Sequence, residues 1–227
     1  MKDRVPAYQI AYARLRDMVL FGDLAPGAAV TIEGLVAQLD LGMTPVREAI
    51  RRLLAEGALQ MQGNRRVCVP RLNEAALKDL GYARTKIETR LACQSLQYCD
   101  SDAVAALAEI DRRLDDAIAS GNIAAYLRSN HAFHFALYAR AKSEVLEALA
   151  ASLWLRLGPS LRVVCLGQGP RMARDLPPME ATPPDNHKRA LAAIEAGDTL
   201  ALSEAITADI AQGVENIRLG LLSGLFE

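Results

Sequence analysis

Residues 31–70 leave little choice of fold. A short apolar-periodic stretch, IEGLVAQL, follows Thr31 and ends in a tight turn at Asp40-Leu41-Gly42. A second helical stretch, VREAIRRLLAEG, opens at Thr44-Pro45 and stops at Gly57. Thr31 suits an N-cap, because a hydroxyl there accepts from a first-turn N–H that has no partner within the helix. Pro45 suits the first helical position, where its missing N–H costs nothing. Residues 58–62 and 66–70 then read as two strands around Gly63-Asn64, a pair that adopts positive φ cheaply and so favours a hairpin. An earlier helix over 8–21, ended by Gly22, puts Ile10, Leu15 and Val19 on one face. Three helices and a hairpin in this order make a winged helix-turn-helix, closed by Pro70.

From Asn73 onward every readable element is helical. Candidate helices span about 74–98, 101–119, 122–141, 143–165, 185–196 and 199–221, with short breaks at Gly121-Asn122, Lys142-Ser143 and Gly197-Asp198. Breaks this short favour antiparallel neighbours in a bundle. The Gly- and Pro-rich stretch 166–184 is the one long loop expected there. The fold class is therefore mainly α: a winged helix-turn-helix over 1–72 and an all-helical domain over 73–227. The N-terminus has no long apolar run and no stretch of 18 or more apolar residues occurs, so neither a signal peptide nor a membrane span is expected. Cys68, Cys93, Cys99 and Cys165 form no C-x-x-C pair, which fits isolated reduced thiols in a cytoplasmic protein.

The net charge of −1 hides an asymmetry. Residues 1–72 carry ten Lys/Arg against seven Asp/Glu, whereas residues 73–227 carry sixteen against twenty. Six arginines lie between 47 and 71 with only Glu48 and Glu56 among them, a clustering suited to phosphate neutralisation. The second helix of a helix-turn-helix enters the major groove N-terminus first. Met43 is placed to meet a thymine methyl, Thr44 a phosphate or base edge, and Arg47 a phosphate or guanine. Arg51 and Arg52 follow on the same helix, where a solvated face explains them equally well. Arg65 and Arg66 sit at the hairpin tip, within reach of backbone or minor groove.

The string TPVREAIRRLLAEGAL at 44–59, preceded by GDLAPG at 22–27, resembles the GntR family of transcriptional regulators, in its FadR-like branch with an all-helical FCD effector domain. Six candidate helices fit the smaller, VanR-like version of that domain. The resemblance implies a homodimer that binds a double-stranded operator with inverted-repeat symmetry and answers to a small-molecule effector. Dimerisation also follows from physics, since one short helix reads too few bases. The chain departs from the family where Gly42 and Met43 replace the usual Ser-Arg, where Ile32-Glu33 replace Glu-Arg, and where Arg66 stands for a wing-tip Gly.

The resemblance also assigns the second domain. Arg84 and Glu88 match its Arg-x-x-x-Glu, Asn130 and Phe133-His134 its acidic or amide residue four before Phe-His, and His187 its penultimate-helix His. Asp209 stands where a third His is common. In relatives such a set binds a divalent metal beside which an organic acid effector coordinates. Here Asn130, His134, His187 and Asp209 are the implied metal set, with zinc, nickel or manganese suited to two imidazoles and a carboxylate. Arg84, Asn130, His134 and His187 are the implied effector contacts. Without the family, His134 reads as a satisfied interior imidazole, Arg84 as a helix salt bridge to Glu88, and Trp154 as core. Trp154 and Arg162 are further candidates for the pocket wall. His131 is expected to face elsewhere. No enzymatic activity is expected; a metal-dependent enzyme and a ligand-free dimeric scaffold are the rival accounts.

Overall fold

The structure, a computed structural model, describes residues 5–63, 66–168 and 185–226. Arg65 and most of the loop expected over 166–184 lie outside the described residues. Grouped by contacts, the chain forms two units. One holds Met1–Leu72 and Trp154–Val163, the other Asn73–Leu153 and Val164–Leu225.

In the first unit, α1 (Ala7–Leu20), α2 (Ile32–Leu39) and α3 (Met43–Ala55) surround a core that includes Leu15, Val19, Leu35, Val46 and Leu53. Thr31 caps α2 as expected, its Oγ1 accepting from the Gly34 N–H at 3.1 Å. Asp40 closes the helix in the left-handed region at φ 51°, a conformation that Asp tolerates better than most residues. α3 starts at Met43, so Pro45 is its third residue rather than its first. The missing N–H still falls among the four that a helix start leaves unpaired. The hairpin comprises β2 (Gln60–Gln62) and β3 (Arg66–Cys68), shorter than expected because residues 58–59 turn into the core instead. A third strand, β1 (Ala29–Val30), pairs antiparallel with β3 and gives the order β1-β3-β2. Two residues carry no periodicity, so β1 left no signal in the sequence.

The second unit is built from α4 (Glu74–Ser95), α5 (Ser101–Ala119), α6 (Ile123–Tyr138), α8 (Asn186–Ala196), α9 (Thr199–Leu222) and the ends of α7 (Glu144–Gln168). Single 3₁₀ turns at Leu96–Tyr98 and Ala139–Ala141 account for the excess length expected of the first and third. Asn73, Asp100, Asn122, Asp185 and Asp198 each accept a first-turn N–H and so fix where α4, α5, α6, α8 and α9 begin. α4 packs on α9, α5 on α6, and α8 on α9. Their shared core runs through Leu91, Leu107, Phe133, Leu137, Leu202 and Ile206.

α7 belongs to both units. Over Glu144–Gly167 it is long and apolar enough to cross a membrane by length and composition, the one such helix among the described residues. The sequence expectation rested on continuous apolar runs and did not single it out. Trp154, Leu155, Leu157 and Val164 are buried in the protein, the placement of a core helix. Within the first unit, Gly158 allows close approach to α1, since a Cβ there would overlap the Leu20 carbonyl oxygen. Arg162 donates to the Phe21 carbonyl at 3.2 Å and pairs with Asp23 at 3.4 Å. Arg162 and Trp154 therefore serve the first unit rather than lining a pocket in the helical domain.

Candidate nucleic-acid interface and metal centre

α3 presents two faces. Val46, Ala49, Ile50 and Leu53 are buried, while Met43, Thr44, Arg47 and Arg51 are exposed. A groove of about 960 Å³ runs beside the exposed face, lined by Thr31, Glu33, Arg47, Arg51 and Arg66. Helix and wing thus contribute arginines to one concavity. Arg47 and Arg66 make no ion pair with any described residue, and Arg51 meets only Glu48, at 3.7 Å on a solvated surface. Arg52 is engaged differently. It bonds Glu56 at 3.0 Å and lies 3.8 Å over the Tyr12 ring, tying α3 to α1. Exposed, unpaired guanidinium groups are inexpensive in water, and they are the form in which phosphate is most readily met.

The helical unit does the opposite, drawing polar groups inward. Asn130 and His134 sit one turn apart on α6, 8% and 0% exposed. His187 opens α8, positioned by the Asp185 cap, and stacks on Phe133 with ring centroids 4.2 Å apart. Asp209 comes from α9. Its Oδ2 lies 3.1 Å from His134 Nε2 and its Oδ1 3.8 Å from His187 Nε2. The two Nε2 atoms are 3.3 Å apart. One ligand atom each from His134, His187 and Asp209 falls within 4.8 Å of the others. His131, as expected, is elsewhere, stacked on Phe135.

The hydrogen-bond partners decide which ring nitrogens face the centre. Tyr138 donates its O–H to Glu88 Oε2 at 2.8 Å, so its oxygen is left as an acceptor. His134 Nδ1, 3.0 Å from that oxygen, must therefore carry the proton. The unshared pair of a neutral His134 is then on Nε2, toward Asp209 and His187. His187 Nδ1 faces Asp111 Oδ1 at 3.6 Å, and neither atom has a hydrogen-bond partner among the described residues. With the His187 proton on Nδ1, toward Asp111, its Nε2 carries an unshared pair as well, and two such pairs 3.3 Å apart beside a carboxylate call for a positive charge between them. Zinc–imidazole bonds of about 2.1 Å put neighbouring ligand nitrogens about 3–3.5 Å apart. The residues fit a divalent cation.

Burial favours the protonated form of Asp209, but in the metal-free chain a doubly protonated His134 donating from Nε2, with the charges of His187 and Arg84 beside it, outweighs burial and holds the carboxyl at about 2. The group is thus a ready anionic ligand. Burial, and then Glu88, push the Tyr138 hydroxyl well above its ordinary value, which keeps it a donor. Arg84 spans Glu88 through Nε (2.6 Å) and Nη2 (3.1 Å), the pair 4% and 0% exposed. Sequence reasoning found His134, His187 and Asp209 but missed Tyr138, Asp111 and Lys188. Tyr138 had a signal, standing one turn after His134. Asp111 had none, because only folding brings α5 to α8.

Comparison with known proteins identifies the two domains that carry these residues. Residues 7–69 match the model of the bacterial regulatory proteins of the gntR family, and residues 79–212 match the FCD domain. The chain belongs to the FCD-bearing branch of the GntR family. It is similar to the HTH-type transcriptional regulator McbR of Escherichia coli, with 27% identity over 71% of this chain and 73% of that one. It is also 32% identical to the Nta operon transcriptional regulator of Aminobacter aminovorans, over 58% of this chain and 62% of that one. The solved structure of E. coli McbR/YncC superposes with a TM-score of 0.86 at 24% identity, covering 96% of this chain and all of that one. A GntR regulator from Rhodococcus gives 0.71 at 21% identity, covering 93% and 97%. This regulator thus binds DNA through its winged helix and carries a C-terminal effector-binding domain.

Proposed function

We propose that this GntR regulator is a cytoplasmic homodimer whose affinity for an inverted-repeat operator is set by a small organic acid bound at a metal centre in its helical domain. The division of labour is DNA contact by residues 1–72, with effector binding and dimerisation by residues 73–227. Met43, Thr44 and Arg47 read the groove, Arg51 and Arg66 hold phosphate, and Arg65 is assigned to the wing tip beside Arg66. Arg52, committed to Tyr12 and Glu56, reaches DNA only by giving up those contacts.

The convergence of His134, His187 and Asp209 carries this reading. These three residues hold one zinc, nickel or manganese ion per chain, with Asn130, on the His134 face of α6, as a weak ligand or hydrogen-bond donor beside it. The bound ion supplies a Lewis-acidic centre that accepts an effector carboxylate. Asn130, His134 and His187 shape the space around that carboxylate. Arg84, its charge largely balanced by Glu88, orients the acid rather than supplying most of the attraction. In a dimer, a change in the helical domains alters whether two winged domains meet two half-sites at once, which multiplies a small rearrangement into a large change in affinity.

Metal analysis of protein purified without a His-tag tests the centre. About one equivalent per chain is expected, as binding of this kind survives purification when ligands are deprotonated and well aimed. Less than about a tenth of an equivalent, not raised by added zinc or nickel, contradicts it. With metal present, a screen of small carboxylic acids should find one that raises the melting temperature by mass action.

A further inference from the structure

We propose that Tyr138 and Asp111 are positioning residues that fix the two imidazoles of the metal centre, each backed by a buried or tethered cation: Arg84 through Glu88 behind Tyr138, and Lys188 behind Asp111. This rests on the metal reading above and deepens it.

The first relay is continuous. Arg84 grips the Glu88 carboxylate, Glu88 accepts from the Tyr138 hydroxyl at 2.8 Å, and the Tyr138 oxygen stands 3.0 Å from His134 Nδ1. Arg84, Glu88, Tyr138 and His134 are all buried, so water is a poor substitute for any link. The relay leaves His134 one orientation, with Nε2 toward Asp209.

The second relay is its counterpart on the far imidazole. Asp111 is 5% exposed, yet its Oδ1 has no hydrogen-bond partner among the described residues, and the same is true of His187 Nδ1. The two atoms face one another at 3.6 Å. Lys188 stands 3.4 Å from Asp111 Oδ2 and is itself held by Asp115 and Asp185. A small shift of His187 toward Asp111 would convert the facing pair into a hydrogen bond that places the proton on Nδ1 and leaves Nε2, which faces His134 and Asp209, free to ligate. Groups that hold the second nitrogen of a ligating histidine typically contribute 10–100-fold in metal affinity. On this account the Arg84–Glu88 pair on α4 is the foundation of the centre, though neither residue is a ligand.

The test uses the full chain and zinc as probe. Competition with a chromophoric chelator should show Tyr138→Phe and Asp111→Ala each binding zinc about 10–100-fold more weakly than wild type. Asp111→Asn keeps an acceptor oxygen and should recover most of the loss, a rescue that a merely structural defect would not give. In metal-free protein at mildly alkaline pH, nitrogen-resolved NMR should show His134 protonated on Nδ1, and Tyr138→Phe should abolish that preference. Zinc affinities within about twofold of wild type in both variants, or no recovery by Asp111→Asn, would overturn the proposal while leaving the metal reading intact. A fixed Nδ1 proton in a wild-type chain that takes up no zinc would sink the metal reading and leave the His134 relay standing.

Discussion

The two functional regions of this regulator handle charge in opposite ways. On α3 and the wing, arginines stand in water with few partners, which leaves them open to charges on another molecule. In the helical unit, residues from α4, α5, α6, α8 and α9 turn inward and meet one another, as Arg84 meets Glu88, and the few buried atoms left unbonded among the described residues include Asp111 Oδ1 and His187 Nδ1 at the centre itself. The difference follows from solvation. Water supports an unpaired guanidinium at the surface, whereas an interior charge without a partner costs several kcal/mol. The surface site can therefore be altered residue by residue with little effect on folding, while the buried site acts as a unit.

Glu88→Ala should break that comparison hardest, because it strips the buried Arg84 of its carboxylate. A loss of about 3–5 kcal/mol is expected from urea unfolding followed by helical signal. Glu48→Ala, which breaks the exposed pair with Arg51, should cost no more than about 1 kcal/mol in the same assay and should not weaken DNA binding. If the two losses were similar, solvation would not be what separates the regions.

Next in size is Arg47→Ala. It should weaken operator binding by about 1–3 kcal/mol and relax preference at one base position, read by titration with duplex variants. Zinc uptake and melting temperature should not change, since no described residue pairs with Arg47. Thr31→Ala should cost about 1 kcal/mol through the lost cap of α2, and this should be visible as a lower midpoint for the winged helix alone.

The smallest effect concerns acid. Asp209 is held at about 2 in the folded chain, against about 3.9 for a free aspartate. The unfolded chain thus takes up the proton first, so the stabilisation is full at neutral pH and is lost as pH falls from about 4 toward 2. Metal-free Asp209→Asn should show a flatter acid limb in urea midpoints than metal-free wild type.

The same contrast explains what was legible in the amino-acid sequence. The winged helix could be read because its signals are local: Thr31 before α2, Pro45 in the first turn of α3, Gly63 at the hairpin tip. The six long helices after residue 73 were legible too, five of them starting at an Asn or Asp cap and α7 after the Lys142-Ser143 break. The buried site is long-range. His134 and Asn130 share a helix face, but His187 and Asp209 joined them only through family resemblance, and Asp111 and Lys188 only through coordinates. Arg84 shows where residue-level logic divides: an anion anchor and a salt bridge to Glu88 have the same spacing, and burial of both side chains is what shows the pair formed.

The most direct test of the account is selection of duplexes from a random pool by the full-length protein at low ionic strength, followed by sequencing. The account predicts enrichment of an inverted repeat whose half-site centres are one helical turn or a multiple apart, with enrichment lost in Arg47→Ala. Retention of duplex without any sequence preference, or identical enrichment by wild type and Arg47→Ala, would contradict it.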